Sequence, residues 1–211
     1  MKVTIFGAAG KTGQELVQQA LDRGFDVVAY ARDSQKIAIE SPRLTKTSGE
    51  LDSQEGLRAA IKDCNCVLSA LGPIGKPSDE ELSSGIANIL SVMDECGVTR
   101  FIVLSTTSYQ DPQDEDGFRF KLRRDMVRRG RPTSYEQIIN YSQLVRNSNS
   151  VWTLVRIASI LTSKPLSKTV HVGYLGKDRF SSKLSRANLA WFMLEQTNST
   201  EYSREAPALS D

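Results

Sequence analysis

The sequence predicts an α/β fold in which helices cover both faces of one parallel sheet, a doubly wound arrangement. Three observations lead to this prediction. Short apolar segments of strand length alternate along the chain with longer segments of helical periodicity. A glycine-rich turn joins the first strand to the first helix. The 211 residues contain no internal repeat or low-complexity linker, which favours a single domain, residues 1–211, with one substantial core.

The first half of the chain alternates strands and helices regularly. Behind the glycine turn, Leu16, Val17 and Ala20 recur at helical spacing. Ser53 stands where a helix N-cap is expected. The predicted strands of this half are residues 2–6, 26–31, 44–47 and 66–71, and the predicted helices are residues 15–23, 53–61 and 78–96.

The second half continues the alternation with a more irregular end. The predicted strands are residues 100–105 and 152–157, and the predicted helices are a basic one near residues 118–131, then residues 135–146 and 185–195. The segment around Glu201 and Tyr202 is expected to add an edge strand. With right-handed crossovers, the ends of the first and fourth strands flank the switch point where ligands bind in such folds.

The glycine turn, residues 7–13 with the sequence GAAGKTG, has the features of a phosphate cradle. Glycine allows tight turns and lets backbone N–H groups approach an anion without a Cβ in the way. The helix that follows directs its unpaired N–H groups toward the same point. Strand, glycine turn and helix in this order predict a dinucleotide-binding, Rossmann-type fold.

The end of the second strand is expected to choose the nucleotide. An acidic residue there binds the ribose 2′-hydroxyl of NAD, whereas an arginine accommodates the 2′-phosphate of NADP. Arg32 and Asp33 are adjacent here. We expect Arg32 to face the phosphate, which favours NADP(H) with NAD(H) as the alternative, and Asp33 to begin a turn. Asp52 either faces the adenine amine or caps the following helix.

Composition bounds the remaining function classes. No apolar run approaches the length of a membrane span, and a net charge of +2 gives no argument for binding of nucleic acid. We therefore expect neither a membrane nor a nucleic acid as a partner, and we expect a cytoplasmic protein. Cys64 and Cys66 are interpreted as small core residues. His171 is the single histidine, so no metal site is expected, and its segment is strand-like; an edge position is favoured over one in a substrate pocket.

The stretch from Arg119 to Arg131 holds seven basic residues against Asp125 alone. One interpretation is a solvated helix face, with Phe118, Leu122, Met126 and Val127 on the buried side. The alternative is that some of the arginines overhang the mouth of an active site and attract the phosphates of a ligand.

The chain resembles the atypical short-chain dehydrogenase/reductase family, and within it the single-domain NAD(P)H-binding proteins related to flavin reductase and NmrA-like quinone reductases. The matching stretches run through nearly the whole chain: GAAGKTG, AYARD, CVLSALG, GVTRFIVLST, SVWTLVRIASI and SRANLAWFMLEQ. The resemblance implies a Rossmann-type NAD(P)-binding fold with a small substrate-side portion from about residues 107–135 and 158–185. It implies no particular oligomer, and a monomer or a homodimer is expected.

The resemblance also implies a set of cofactor-binding residues. The glycine turn would lie under the cofactor, Arg32 would take the 2′-phosphate, and Ser105 and Thr106 would approach the nicotinamide as the catalytic candidates. The residues implied for the turn are Gly7, Ala9, Gly10, Lys11, Thr12 and Gly13, and those implied for the other strand ends are Ala70, Leu71, Gly72, Ile157 and Ala158. Flavin reductase relatives carry a histidine just beyond the sixth strand, whereas this chain reads Ala158-Ser159-Ile160 there.

The chain lacks the tyrosine–lysine pair that carbonyl reductases use, and this restricts the reactions it can catalyse. None of the six tyrosines is followed four residues later by the lysine that lowers the pKa of the tyrosine acid in carbonyl reductases. A ketone needs that positioned proton, which is worth about 10²–10⁴-fold in rate, whereas a flavin or quinone accepts hydride into a delocalised ring. The leading hypothesis is therefore an NADPH-dependent reductase of a planar small-molecule acceptor, with flavin as a substrate. The alternative is a non-catalytic sensor of the NADP(H) ratio.

Overall fold

An eight-stranded sheet with the order β3-β2-β1-β4-β5-β6-β10-β8 forms the centre of the computed structural model, which describes residues 1–73, 81–115 and 117–211. Its described strands pair in parallel, except that β8 runs antiparallel to β10. The strands are β1 (Lys2–Phe6), β2 (Asp26–Ala31), β3 (Leu44–Ser48), β4 (Cys66–Ser69), β5 (Arg100–Thr106), β6 (Val151–Ile157), β8 (His171–Gly173) and β10 (Ala208–Ser210). A separate pair consists of β7 (Ile160–Thr162) and β9 (Lys183–Ser185).

Helices cover both faces of this sheet, as the alternating sequence predicts. Helices α1 and α6 pack over one face, and α2, α3 and α5 over the other, each around its own cluster of buried apolar side chains. Their bounds are α1 (Lys11–Asp22), α2 (Gln54–Ile61), α3 (Leu82–Glu95), α4 (Phe118–Gly130), α5 (Pro132–Asn147) and α6 (Arg186–Glu195). The doubly wound Rossmann-type fold is thus confirmed. Residues 78–80 of the long helix expected at 78–96 lie outside the described residues.

Several local predictions are confirmed. Ser53 is the N-cap of α2, and its hydroxyl accepts a hydrogen bond from the Gly56 N–H. Cys64 and Cys66 are buried thiols, and burial raises the pKa of each. His171 begins the edge strand β8 with an exposed side chain, so the edge interpretation is the right one.

The predicted edge strand around Tyr202 is wrong. That segment forms a turn, in which Arg204 adopts φ +60° and its N–H donates to the Trp152 carbonyl at 2.7 Å. The Tyr202 ring packs against Phe192, with ring centroids 5.7 Å apart. A strand follows later, at β10, but it lies between β6 and β8 rather than at the edge, and its three residues are too few to be recognised from the sequence pattern.

The predicted buried side of α4 is also wrong. Phe118, Leu122 and Met126 are 79%, 51% and 64% exposed, and only Val127 of the expected set is partly buried. The reason is that α4 packs beside α5. Helical spacing identifies residues that share one side of a helix, but it does not show which side is buried.

A buried ion pair holds the segment before α4 against the sheet. Arg156 on β6 is fully buried, and its Nη1 and Nη2 lie 2.5 and 2.8 Å from the two carboxylate oxygens of Asp114. Its Nε also donates to the Ala206 carbonyl, and Nη1 donates to the Tyr109 carbonyl. Asp114 accepts a further hydrogen bond from the Leu175 N–H. Segments from four parts of the chain therefore meet at one charge pair.

Candidate functional site

Two cavities meet at the carboxyl ends of β1 and β4, where the fold predicts ligand binding. The β2-side cavity, of about 1040 Å³, lies between the ends of β1 and β2, and the β5-side cavity, of about 750 Å³, lies toward the ends of β5 and β6. Gly10, Ala70, Leu71 and Gly72 border both. The two cavities therefore adjoin at these four residues, on either side of the ends of β1 and β4.

The glycine turn is as tight as the sequence predicts. Gly7 has φ +73°, and a Cβ there would lie 3.1 Å from the backbone of Ala70 and Leu71. A Cβ on Gly13 would lie only 2.1 Å from the Gly7 carbonyl oxygen. Real Cβ atoms do not approach backbone this closely, so Gly13 lets α1 begin directly against the turn.

The first turn of α1 fits an anionic group. The helix begins at Lys11, so the N–H groups of Lys11, Thr12 and Gly13 have no acceptor within the helix. No acidic residue stands in this turn, and all three residues border the β5-side cavity. Unpaired N–H groups, a lysine and neighbouring glycines that lack a Cβ are features that bind a dinucleotide diphosphate.

The β2-side cavity contains the residues expected to read the adenosine end. Arg32, Asp33 and Asp52 all border it. Asp33 caps the 3₁₀ helix Ser34–Lys36, accepting a hydrogen bond from the Gln35 N–H at 3.1 Å, which confirms its expected turn role. The Arg32 side chain is exposed and makes no hydrogen bond or ion pair within the described part of the chain. Of the two neighbours, Arg32 is therefore the one available to a ligand.

The two catalytic candidates have different surroundings at the end of β5. Ser105 is fully buried, and its Oγ lies 2.9 Å from the Ser142 Oγ on α5. The Thr106 Oγ1 accepts a hydrogen bond from the Ser108 N–H at 3.2 Å, so it supports the loop backbone. Both residues border the β5-side cavity. Whether either acts on a substrate stays a prediction.

Sequence reasoning missed two neighbours of Ser105. Tyr141 borders the same cavity, and its phenol donates to the Leu104 carbonyl at 3.0 Å. Burial raises the pKa of this phenol, against a smaller opposite effect of the Ser105 hydroxyl. Tyr141 was set aside because no lysine follows it at the required spacing. The second missed neighbour is Ser142, which follows Tyr141 on the predicted helix. A buried hydroxyl needs a hydrogen-bond partner, and this was the available signal that Ser142 could pair with another buried hydroxyl.

The end of β6 separates two residues that the resemblance places together. Ile157 borders the β5-side cavity. Ala158 borders neither cavity; it packs against Leu175, and its carbonyl accepts a hydrogen bond from Arg123 Nη1 at 2.7 Å. Its side chain is therefore placed for packing, and its backbone anchors α4.

Arginines from α4 reach the β5-side cavity, as the second interpretation of the basic stretch expected. Arg123, Arg124 and Arg131 border it together with Phe120 and Val127. Arg186, the first residue of α6, borders it as well. The described lining residues include no carboxylate. This wall is strongly positive.

Among the described residues, no group of three or more His, Cys, Asp or Glu side chains is arranged to hold a metal ion. Of the described helices, none combines the length and the apolar character that a bilayer span requires.

Comparisons with known proteins agree with this geometry. The family model described as NAD(P)H-binding matches residues 7–200. The uncharacterized protein YwnB of Bacillus subtilis is 24% identical over 212 residues, which cover 97% of this chain and 96% of YwnB. Human sterol-4-alpha-carboxylate 3-dehydrogenase, decarboxylating, is 30% identical over 112 residues, but these cover 51% of this chain and only 29% of the human protein.

Solved structures share the fold at low identity. A short-chain dehydrogenase/reductase from Veillonella parvula in complex with NADP has a TM-score of 0.80 at 19% identity, with 100% of this chain and 94% of that one covered. ChuY, an anaerobilin reductase from Escherichia coli O157:H7, has a TM-score of 0.80 at 14% identity, with 100% and 97% covered. The chain shares the Rossmann-type fold of these structures, and it belongs to the NAD(P)H-binding family.

Proposed function

We propose that this protein is an NAD(P)H-dependent reductase that prefers NADPH and transfers hydride to a flavin, a quinone or a similar planar acceptor. The observation that carries the proposal is that two cavities adjoin at the glycine turn and at the end of β4. A cradle for a diphosphate lies between a cavity bordered by Arg32 and a second cavity bordered by Ser105 and Ile157. A dinucleotide laid across the cradle would have its adenosine in the first and its nicotinamide in the second.

The residues divide the work of binding. The N–H groups at the start of α1 would hold the diphosphate, with Lys11 adding positive charge. Arg32 would bind the 2′-phosphate through its planar, multiply donating guanidinium. Leu71 and Ile157 would provide apolar walls on either side of the cofactor. When bound, the reduced nicotinamide supplies the hydride.

The β5-side cavity suits an acceptor that does not need a strong protein acid. The Tyr141 proton is committed to the Leu104 carbonyl, and burial raises the pKa of the phenol. Ser105 is partnered by Ser142, so its hydroxyl is held in one place. A fixed hydroxyl can orient an acceptor or the carboxamide, whereas it is a poor proton source. Holding two planar rings in contact is then the main contribution of the protein.

The test is oxidation of NADPH by the purified protein, followed at 340 nm with FMN, riboflavin and menadione as separate acceptors. We expect turnover well above the rate without protein, and lower kcat/KM with NADH. The reductase proposal would be contradicted if none of these acceptors were turned over under conditions where calorimetry shows that NADPH binds.

A second candidate function, a sensor of the NADP(H) ratio, is favoured by the same engaged hydroxyls. The side chains of Ser105, Thr106 and Tyr141 all have partners within the protein. A sensor would bind NADP⁺ and NADPH with different affinity or conformation and would not turn over. Comparing the protease sensitivity of the two nucleotide complexes, in the preparation used for turnover, separates the two functions.

A further inference from the structure

We propose that the acceptor carries an anionic group, a phosphate or a carboxylate, which Arg123 and Arg131 bind at the α4 wall of the β5-side cavity. This inference rests on the proposed reductase function and adds the charge of the substrate to it.

The first argument is charge. The described residues that line the β5-side cavity include no carboxylate. They include five cationic side chains, those of Lys11, Arg123, Arg124, Arg131 and Arg186. Like charges gathered around one cavity repel each other and disfavour the folded state. An anionic ligand relieves that repulsion, whereas a neutral acceptor leaves it in place.

The second argument separates two groups within these cations. Arg186 begins α6, which packs against α1, so it lies on the same side as Lys11 and the cofactor cradle. The other three arginines belong to α4 and its end, which pack beside α5. The cofactor diphosphate therefore accounts for the first group, and it leaves Arg123 and Arg131 without an anion among the described residues.

The third argument is that two of the α4 arginines are held in place and have donors to spare. Arg123 uses Nη1 to bind the Ala158 carbonyl at 2.7 Å, which leaves the other donors of its guanidinium. Arg131 is fixed through its backbone: its N–H donates to Val127 at 2.8 Å, and its carbonyl accepts from Tyr135 at 2.9 Å. The Arg131 guanidinium makes no hydrogen bond or ion pair within the described part of the chain.

A neighbouring arginine shows what an ordinary surface position on this helix looks like. Arg128 lies outside the cavity lining and pairs with Asp125 at 3.4 Å, one turn away. Arg123 and Arg131 face the cavity and have no such carboxylate among the described residues. The guanidinium fork matches phosphate and carboxylate geometry with two parallel hydrogen bonds.

The experiment compares FMN with riboflavin, which has the same ring system and lacks the phosphate. We expect the protein with NADP⁺ bound to bind FMN about tenfold more tightly than riboflavin, measured by quenching of flavin fluorescence, because the phosphate can form charge-assisted hydrogen bonds that riboflavin lacks. The kcat/KM values with NADPH should show the same preference, and raised salt should weaken it.

Variants assign the preference to residues. In Arg131→Gln and in the double variant R123Q/R131Q, the FMN-to-riboflavin ratio should fall toward one. Arg128→Gln removes the same charge from the same helix outside the cavity and should keep the wild-type ratio. Circular dichroism checks that each variant is folded. A carboxylated naphthoquinone, compared with 1,4-naphthoquinone, decides whether a carboxylate can replace the phosphate.

The outcomes distinguish this inference from the reductase proposal. If FMN and riboflavin bind equally, and the carboxylated and plain quinones do too, the anionic subsite is excluded even where turnover is observed. If the preference exists but survives in R123Q/R131Q, the assignment to these arginines is overturned. If anionic flavin binds through the arginines without any turnover, the subsite stands and the reductase proposal fails.

Discussion

The buried pair of Arg156 and Asp114 makes a quantitative prediction about stability. In Asp114→Asn the side-chain shape and its acceptor oxygen remain, but the fully buried guanidinium loses its carboxylate. Breaking a buried ion pair from one side costs about 3–5 kcal/mol. Since the total free energy of unfolding of such a domain is about 5–15 kcal/mol, this one substitution should remove a large part of it.

Urea unfolding followed by tryptophan fluorescence measures this cost, and Trp152 and Trp191 provide the signal. For a domain of this size each 1 kcal/mol corresponds to about 2–4 °C in Tm, so the expected thermal shift is about 6–20 °C. Asp125→Asn is the matched control, because its pair with Arg128 is exposed and worth at most about 1 kcal/mol. In the double variant D114N/R156M, the loss should be smaller than the sum of the two single losses. A loss below about 1 kcal/mol in Asp114→Asn would refute the reasoning.

Three further substitutions test the site and the core. Gly13→Ala should lower the free energy of unfolding by about 1–3 kcal/mol and weaken NADPH binding, because the new Cβ would overlap the backbone. Gly130→Ala is the control and should have neither effect, because a Cβ there meets nothing within 4 Å. Equal effects of the two substitutions would argue against the clash at Gly13. Arg32→Gln should raise the Kd for NADPH about tenfold or more and leave NADH within about twofold; calorimetry showing parallel losses for both nucleotides would remove Arg32 from the 2′-phosphate. Ser69→Ala should leave the free energy of unfolding unchanged or raise it, because the buried Ser69 hydroxyl has no partner among the described residues. Thr4→Val removes a buried hydrogen bond and should lower the free energy of unfolding by about 0.5–1.5 kcal/mol. Denaturant midpoints in the reverse order would contradict both expectations.

The sequence predicts the sheet and the cradle well because local signals determine them. Strand β1 from Val3 to Phe6 and most of β5 are buried on both faces. Strands buried in this way have mostly apolar sequences, which can be recognised without knowledge of the rest of the fold. The glycine turn needs small residues for steric reasons that hold wherever the turn occurs. Asp33 and Ser53 act through backbone groups two or three residues away, so their turn and cap roles are also visible in a short stretch.

The parts that the sequence did not predict depend on contacts between distant segments. Spacing shows that Phe118, Leu122 and Met126 share one side of a helix, but not that this side faces away from the protein. The partnership of Ser105 with Ser142 joins residues 37 positions apart. Arg156 and Asp114 are separated by 42 positions, and neither belongs to a recognisable motif.

Gly10 and residues 70–72 border both cavities, and this has a consequence for how such a protein can diversify. They stand between two cavities whose remaining walls come from different strands and helices. Arg32 borders only the β2-side cavity and Arg131 only the β5-side cavity. If the proposed function holds, substitutions at Arg32 would therefore alter the choice of electron donor and substitutions at Arg131 the choice of electron recipient, each independently of the other.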